Sequence, residues 1–277
     1  MIKIATIAGS DASGGAGLEA DLKTFEEYGL YGMAAVTVIA AMDPDADWAH
    51  SVFPIEENCL RSQMETVFKG AGVAAAKSGM LGSFYAVDLT AEYIKAYGVK
   101  NYILDPVMVC KGAKEALNPE LNAAIAEKLL PLAEVVTPNL FEAEQLSGLD
   151  EIASIDRMKE AAKIIYDKGP RGVFIKGGAK LVSLAPVSRE AHPKAVDIFY
   201  DGGGFELFEA ELVQTKWNHG AGCTVSAAIA AGLARGLPAR DALALAKKFI
   251  TASLKAGFPL NQWVGPGNPA VWRAAFE

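Results

Sequence analysis

Between residues 2 and 178 the sequence alternates two kinds of segment, and no other feature constrains its folding as tightly. Short apolar runs have the length and β-branched content of buried strands: IKIATIA (2–8), AAVTVIAA (34–41), VAAAKSGM (73–80), NYILDPV (101–107), EVVTPN (134–139) and GVFIKGG (172–178). Between them lie stretches with helical spacing. One covers 18–28, with Leu22 and Phe25 on one face and Gly29 as its stop. Others cover 57–68, 86–97 before Gly98, 119–130 from Pro119, and 154–168 with Ser154 as cap. Strand–helix–strand units of this kind build a mostly parallel sheet covered on both faces. The pattern changes near residue 180. AVDIFYDGGGFELFEA (195–210) sets two alternating strands around Asp201 and Gly202 to Gly204, the composition of a β-hairpin. Two helices, 223–235 and 239–256, follow on either side of Gly236-Leu237-Pro238. The expected fold is α/β, with a mostly parallel central sheet and an appended antiparallel hairpin, in one domain over residues 1–277.

Composition narrows the function. With 51% hydrophobic and 21% charged residues the chain can bury a large core. Its net charge of −7, with no basic stripe, argues against nucleic acid as the main partner. The longest apolar run, 33–42, is too short to span a bilayer. MIKIATIAGS reads as a strand entering a glycine loop rather than a signal peptide, so the expectation is a cytoplasmic protein with no membrane partner. Cys59, Cys110 and Cys223 are odd in number and form no C-x-x-C. They make no zinc spacing with His50, His192 or His219. Each thiol is therefore either core or chemistry. Cys59, beside Leu60 and Met64 in a helical pattern, reads as core.

In open parallel sheets ligands lie beyond the carboxyl ends of the strands, and three loops there carry chemistry. In the first, GSDASGGAGLEAD (9–21), the segment from Gly15 to Ala20 fits G-x-G-x-x-A, and Asp43 ends the next strand. A dinucleotide fingerprint should follow its strand at once, but the apolar run stops near Ala8. A loop that lets backbone approach a small ligand, with Ser10 and Asp11 as polar groups, fits better. In the second, WNHGAGCT (217–224), small residues open an alanine-rich helix, and such helix starts bind anions. No G-x-x-x-x-G-K-[ST] occurs. Cys223 stands at the first turn, where a helix N-terminus lowers a thiol pKa, making it a candidate base; the alternative is a packing cysteine. His219 either contacts a phosphate or caps the loop. In the third, VVTPNLFEAEQLSG (135–148), Thr137, Asn139 and Glu142 follow a strand end. Glu142, with Asp105 as a second carboxylate, suits a hydrated Mg²⁺. Equally, Glu142 suits a helix start and Asp105 a turn before Pro106.

The motifs AGSDASGGAGLEADLKTF, KSGMLGS, LDPVM, TPNLFEAEQLSG, IKGG and NHGAGCT follow one another in order. Together they resemble the hydroxymethylpyrimidine (phosphate) kinase and pyridoxal/pyridoxine kinase family of the ribokinase-like superfamily, over about residues 2–265. The resemblance implies a three-layer α/β/α ribokinase-like fold that transfers the γ-phosphoryl of ATP to a hydroxymethyl group on an aromatic ring. It assigns Gly220, Ala221, Gly222 and Cys223 to an anion hole, with Cys223 as proton acceptor. It places Asn139, Glu142 and Lys176 at ATP and its Mg²⁺, Asp105 near the metal, and Ala16, Met80 and Val107 around the ring; the loops themselves offer Thr137 and His219 as further nucleotide contacts and Ser10 and Asp11 as further substrate contacts. Where pyrimidine kinases carry a glutamate or glutamine, this chain has Met42, whose thioether cannot read an aminopyrimidine edge, so a pyridine substrate is favoured. Cys110, in VMVCKGAKEALN with Lys111 and Lys114, reads as part of a flap, its thiol adding to a pyridoxal aldehyde or merely tolerated. A homodimer, and compatibility with a monovalent cation, are further implications. The competing readings are a sugar kinase, a non-catalytic nucleotide-binding regulator and an NAD-dependent oxidoreductase.

Overall fold

The computed structural model describes residues 1–108, 118–181 and 194–274. Cys110, its neighbouring lysines and His192 lie outside the described residues. The chain order is β1 (Lys3–Asp11), α1 (Gly17–Glu27), β2 (Tyr31–Asp43), β3 (Ala49–Pro54), α2 (Glu57–Met64), a π-helical turn (Glu65–Ala71) and β4 (Ala75–Ser78). There follow α3 (Phe84–Ala96), β5 (Asn101–Leu104), α4 (Pro119–Leu129), β6 (Val135–Val136), α5 (Leu140–Ser147), α6 (Ile155–Tyr166) and β7 (Val173–Lys176). The remainder is β8 (Lys194–Tyr200), β9 (Phe205–Glu211), α7 (Ala221–Ala234), α8 (Ala239–Lys255) and α9 (Val271–Ala274).

The strands form one sheet in the order β3-β2-β1-β4-β5-β6-β7-β8-β9. All neighbours from β2 to β7 run parallel, and β8 and β9 add the expected antiparallel hairpin. The opposite edge differs from the sequence expectation. β2 runs on to Asp43 and turns back as β3, paired antiparallel from Val38–Pro54 to Asp43–Ala49. The turn was not foreseen because no glycine marks it; Asp47 and Trp48 themselves adopt φ of 50° and 64°. β1 also outlasts its apolar run. Past a register shift between Ala8 and Ser10, Ser10 and Asp11 still pair with Ile39 and Ala40.

Two cores sandwich the sheet, and the central strands alternate between them. In β5, Tyr102 and Leu104 point to one and Ile103 to the other; in β7, Val173 and Ile175 oppose Phe174. This is why the central strands read as unbroken apolar runs: neither face meets water. The first core is completed by α2 to α6, through residues such as Leu60, Met64, Ile94, Ile125 and Ile165. The second is completed by α1, α7 and α8, through Phe25, Ile229 and Phe249. The layers are thus α/β/α. Cys59 corrects the sequence reading. It is exposed, because it lies one position before the buried Leu60 and the helix turns it about 100° away.

Candidate active site

A cleft of about 880 Å³ opens at the carboxyl ends of β1, β4, β5 and β7. It brings together Ser10, Asp11, Ala16, Met42, Met80, Asp105, Val107, Asn139, Glu142, Lys176, His219, Gly220, Ala221, Gly222 and Cys223. Thr137 stands behind this wall, fully buried, its hydroxyl donating to Asp105 Oδ1 at 3.3 Å.

The two glycine loops, some two hundred residues apart in sequence, are packed backbone to backbone. Gly220 has φ +74°, and a Cβ there would sit 1.9 Å from the Gly15 carbonyl oxygen. Gly17 has φ +57°, and its Cβ would lie 2.2 Å from the Gly9 carbonyl oxygen. Only glycine meets both demands, a left-handed φ and this close approach. Asp11 ties the loops together. Its Oδ1 accepts the Ser13 N–H at 2.8 Å, and its Oδ2 accepts the Ala16 N–H at 2.9 Å and meets His219 Nε2 at 2.6 Å. Burial alone would raise the Asp11 carboxyl; the His219 and Ser13 hydrogen bonds hold it down to about 2. Ser10 donates to Glu19 Oε1 at 2.6 Å. The side chains of Ser10, Asp11 and His219 therefore build the loop, although all three residues line the cleft. Gly220 caps α7 in left-handed conformation and no side chain caps its first turn, which leaves a helix start suited to an anion.

Beyond the loops lies a buried charge cluster. Lys176 donates to Asp105 Oδ1 at 2.8 Å, and Ser226 donates to Asp105 Oδ2 at 2.9 Å. Burial would raise Asp105, but Lys176 and Lys77 hold it below the usual carboxylate range. Asn139 and Glu142 form a capping box on α5: Asn139 Oδ1 accepts the Glu142 N–H at 3.0 Å, and Glu142 Oε2 accepts the Asn139 N–H at 2.8 Å. Burial pushes Glu142 up to about 7 against the pull of Lys176, and Asp105 adds to the rise. Among the described residues no three His, Cys, Asp or Glu side chains converge as a metal cage. Two buried carboxylates on one cleft wall, one of them short of compensating charge, do fit a hydrated Mg²⁺ carried in on phosphates, which needs only one or two protein carboxylates.

Cys223 departs from the sequence expectation. The helix start does not leave its thiol depressed. Burial pushes it up to about 11, with Lys77 pulling the other way and Asp105 and Asp21 adding to the rise.

Comparison with known proteins bears on what this cleft does. The phosphomethylpyrimidine kinase family model matches residues 11–268. The chain belongs to the phosphomethylpyrimidine kinase family. Within that family it is 53% identical to the pyridoxine kinase of Bacillus subtilis, covering 99% of this chain and 97% of the relative. It is 36% identical to a hydroxymethylpyrimidine/phosphomethylpyrimidine kinase of Haemophilus influenzae, covering 96% of each. Among solved structures, an ADP complex of Bacillus subtilis pyridoxal kinase superposes with a TM-score of 0.92 at 52% identity, covering 99% of both chains.

Several residues in the cleft of this phosphomethylpyrimidine kinase family member escaped the sequence reading. Lys77 lines it, fully buried and paired with Asp21. Asp197 of β8 accepts the Gly177 and Gly178 N–H groups at 3.0 and 3.3 Å and pairs with Lys247 of α8 at 2.5 Å. That pair fixes the loop after β7 on one side of the cleft, near apolar Leu212, Val213, Ile250 and Leu254. The sequence signal for Lys77 was present in AAAKSGM, where a lysine interrupts an apolar run. No helix of the described residues is long and apolar enough to cross a membrane.

Proposed function

We propose that this chain is an ATP-dependent kinase that phosphorylates the hydroxymethyl group of pyridoxine or pyridoxal, with Cys223 accepting the hydroxyl proton. The carrying observation is the shared cleft: a thiol at an uncapped helix start, a buried Lys176–Asp105–Glu142 cluster, and an apolar wall of Met42, Met80 and Val107. In the transfer the substrate O–H bond breaks, its proton goes to the Cys223 sulfur, an O–P bond forms to the γ-phosphorus, and the bond to ADP breaks. Phosphoryl transfer needs positioning and charge neutralisation more than covalent help. Lys176 and the start of α7, whose Gly222 leaves 3.5 Å between a notional Cβ and Lys176 Nζ, supply positive charge beside the transferred group. Glu142 and Asp105 would hold Mg²⁺, which neutralises phosphate charge when bound. Asn139 holds Glu142, Thr137 and Ser226 hold Asp105, and Asp11 with His219 holds the two loops in register. Ala16 stands in the loop they fix, at the ring side with Ser10 and Asp11.

Met42 supports a pyridine over a pyrimidine, because a thioether offers no donor to an aminopyrimidine edge. The family's name and the Haemophilus influenzae relative support the second reading, a hydroxymethylpyrimidine (phosphate) kinase, alone or as a dual activity. A panel of pyridoxine, pyridoxal and hydroxymethylpyrimidine with Mg·ATP tests the choice. The pyridines should be turned over, and Met42→Gln should move the kcat/KM ratio about tenfold toward the pyrimidine. Turnover of the pyrimidine alone by the wild type would overturn the pyridine reading. The proposal takes residues 1–277 as one domain acting in the cytoplasm. It also takes the protein as a homodimer. Paired, exposed Ile39 and Phe53 on the β2–β3 ribbon support this, and sedimentation velocity reads it directly.

A further inference from the structure

β1 does not stop where its apolar run stops, and one acidic side chain ties down its last two residues. Past Ala8, Ser10 and Asp11 still pair with Ile39 and Ala40 of β2. Glu19, in the first turn of α1, reaches back to both of them. Its Oε1 accepts the Ser10 hydroxyl at 2.6 Å, and its Oε2 accepts the Asp11 N–H at 2.8 Å. The first contact has the short length of a charge-assisted O–H···O⁻ bond. Ser10 is half-buried on the cleft wall, and Glu19 is outside the lining. This arrangement decides what Ser10 can do. A hydroxyl has one hydrogen to donate and two lone pairs to accept with, and a carboxylate only accepts. The Ser10 hydrogen is therefore committed to Glu19, and its oxygen has acceptor capacity left for the cleft. The neighbouring Asp11 carboxylate is occupied by Ser13, Ala16 and His219. Ala16, Met42, Met80 and Val107, on the same wall, are apolar. In such a pocket a few polar groups fix the ligand's orientation.

We propose that Glu19 is a positioning residue that sets specificity: it holds Ser10 Oγ as a hydrogen-bond acceptor, so that the cleft favours an aromatic ring presenting an N–H or O–H donor there. The proposal rests on the reading of this wall as the ring side of a pyridoxine or pyridoxal kinase. Pyridoxine offers its ring hydroxyl, and its ring nitrogen when protonated; hydroxymethylpyrimidine offers its amino group. Ser10 thus suits either ring, and Met42 remains the residue that separates them. Glu19→Gln is the informative change because it keeps the shape. The Asp11 N–H needs an acceptor, which the amide oxygen supplies. The amide nitrogen then faces Ser10 and donates to it, and the Ser10 hydrogen is released to the cleft. Replacing one atom of Glu19 reverses the polarity that Ser10 presents.

The test is a cycle of dissociation constants, read by isothermal titration calorimetry on the full chain with turnover measured beside it. The ligands are pyridoxine, its analogue without the ring hydroxyl, and its analogue with CH in place of the ring nitrogen. Wild type should bind one of the two analogues about tenfold more weakly than pyridoxine, the effect of one lost hydrogen bond. In Glu19→Gln pyridoxine itself should bind about tenfold more weakly, so that its ratio to that analogue falls below about threefold. The Kd of Mg·ATP should stay within about threefold of wild type, because the nucleotide does not meet Ser10. A merely structural Glu19 would weaken all three ring ligands alike and leave the ratio at its wild-type value, which would overturn the proposal. Wild type binding both analogues as tightly as pyridoxine would overturn it too. Should Glu19→Gln not fold, Ser10→Ala, which deletes the acceptor, must lose the same discrimination; an alanine variant with the wild-type ratio overturns the proposal. Binding and turnover fail separately. Wild type that binds pyridoxine without phosphorylating it contradicts the kinase reading, and the cycle still decides the role of Glu19. Wild type that takes only hydroxymethylpyrimidine contradicts the pyridine reading, and the same cycle is then run with that ring and its analogue lacking the amino group.

Discussion

Asp11 is the clearest case of a single side chain holding two distant loops. Its carboxylate accepts from Ser13, Ala16 and His219. Its folded pKa of about 2 lies below the usual aspartate value. Between those two values the unfolded chain binds more protons than the folded one, so this contribution to stability grows with pH. It is fully present above about pH 4 and is lost as pH falls toward 2. Asp11→Asn should therefore be less stable than wild type at pH 6, and urea unfolding should show the gap narrowing below about pH 4. A gap independent of pH would mean that the charge of Asp11 does not act as described. Cys223 shows the complementary case, a group whose burial outweighs its helix start. Its thiol rests protonated, and below its pKa the thiolate fraction rises about tenfold per pH unit.

At the scale of elements, the site depends on two helix starts, α1 and α7, whose glycines let their backbones meet. Gly220→Ala would force a Cβ against the Gly15 carbonyl and hold a left-handed residue other than glycine. The conformation alone costs about 1–2 kcal/mol, and the loops must also part. Thermal unfolding should show a clear fall in Tm, and KM for Mg·ATP should rise about tenfold or more, because the anion-binding start is displaced. An unchanged KM would show that the loop contact is not needed for nucleotide binding. These loops were legible in the sequence because their glycines, Asn139 and Glu142 are signals carried within a few residues. The ion pairs were not. Asp21 falls at a polar position of a helical pattern, which reads as a solvated face, and its partner Lys77 is 56 residues away. Asp197 and Lys247 are 50 apart. β3 was missed because Asp47 and Trp48 make its turn without glycine. Cys59 was misplaced because one residue along a helix exchanges a buried face for an exposed one.

Over the whole molecule, a sheet whose central strands are buried on both faces opens its main cleft at the rim where its parallel strands end. The alternation of apolar and helical segments therefore made the fold legible, and the fold then made the order of the loops meaningful. The ionisable groups at that rim lie close together, Lys77, Asp105 and Glu142 buried and Lys176 half-buried. Keeping them there is costly to folding, and the proposed phosphoryl transfer would give them a use. The most direct measurement is the pH dependence of pyridoxine phosphorylation with Mg·ATP under single-turnover conditions, wild type beside Cys223→Ala. The account expects a wild-type rate that climbs with pH from 7 to 9. It also expects an alanine variant slower by about 10²–10⁴, with the climb abolished. An alanine variant that phosphorylates pyridoxine at the wild-type rate with the same pH profile would contradict it.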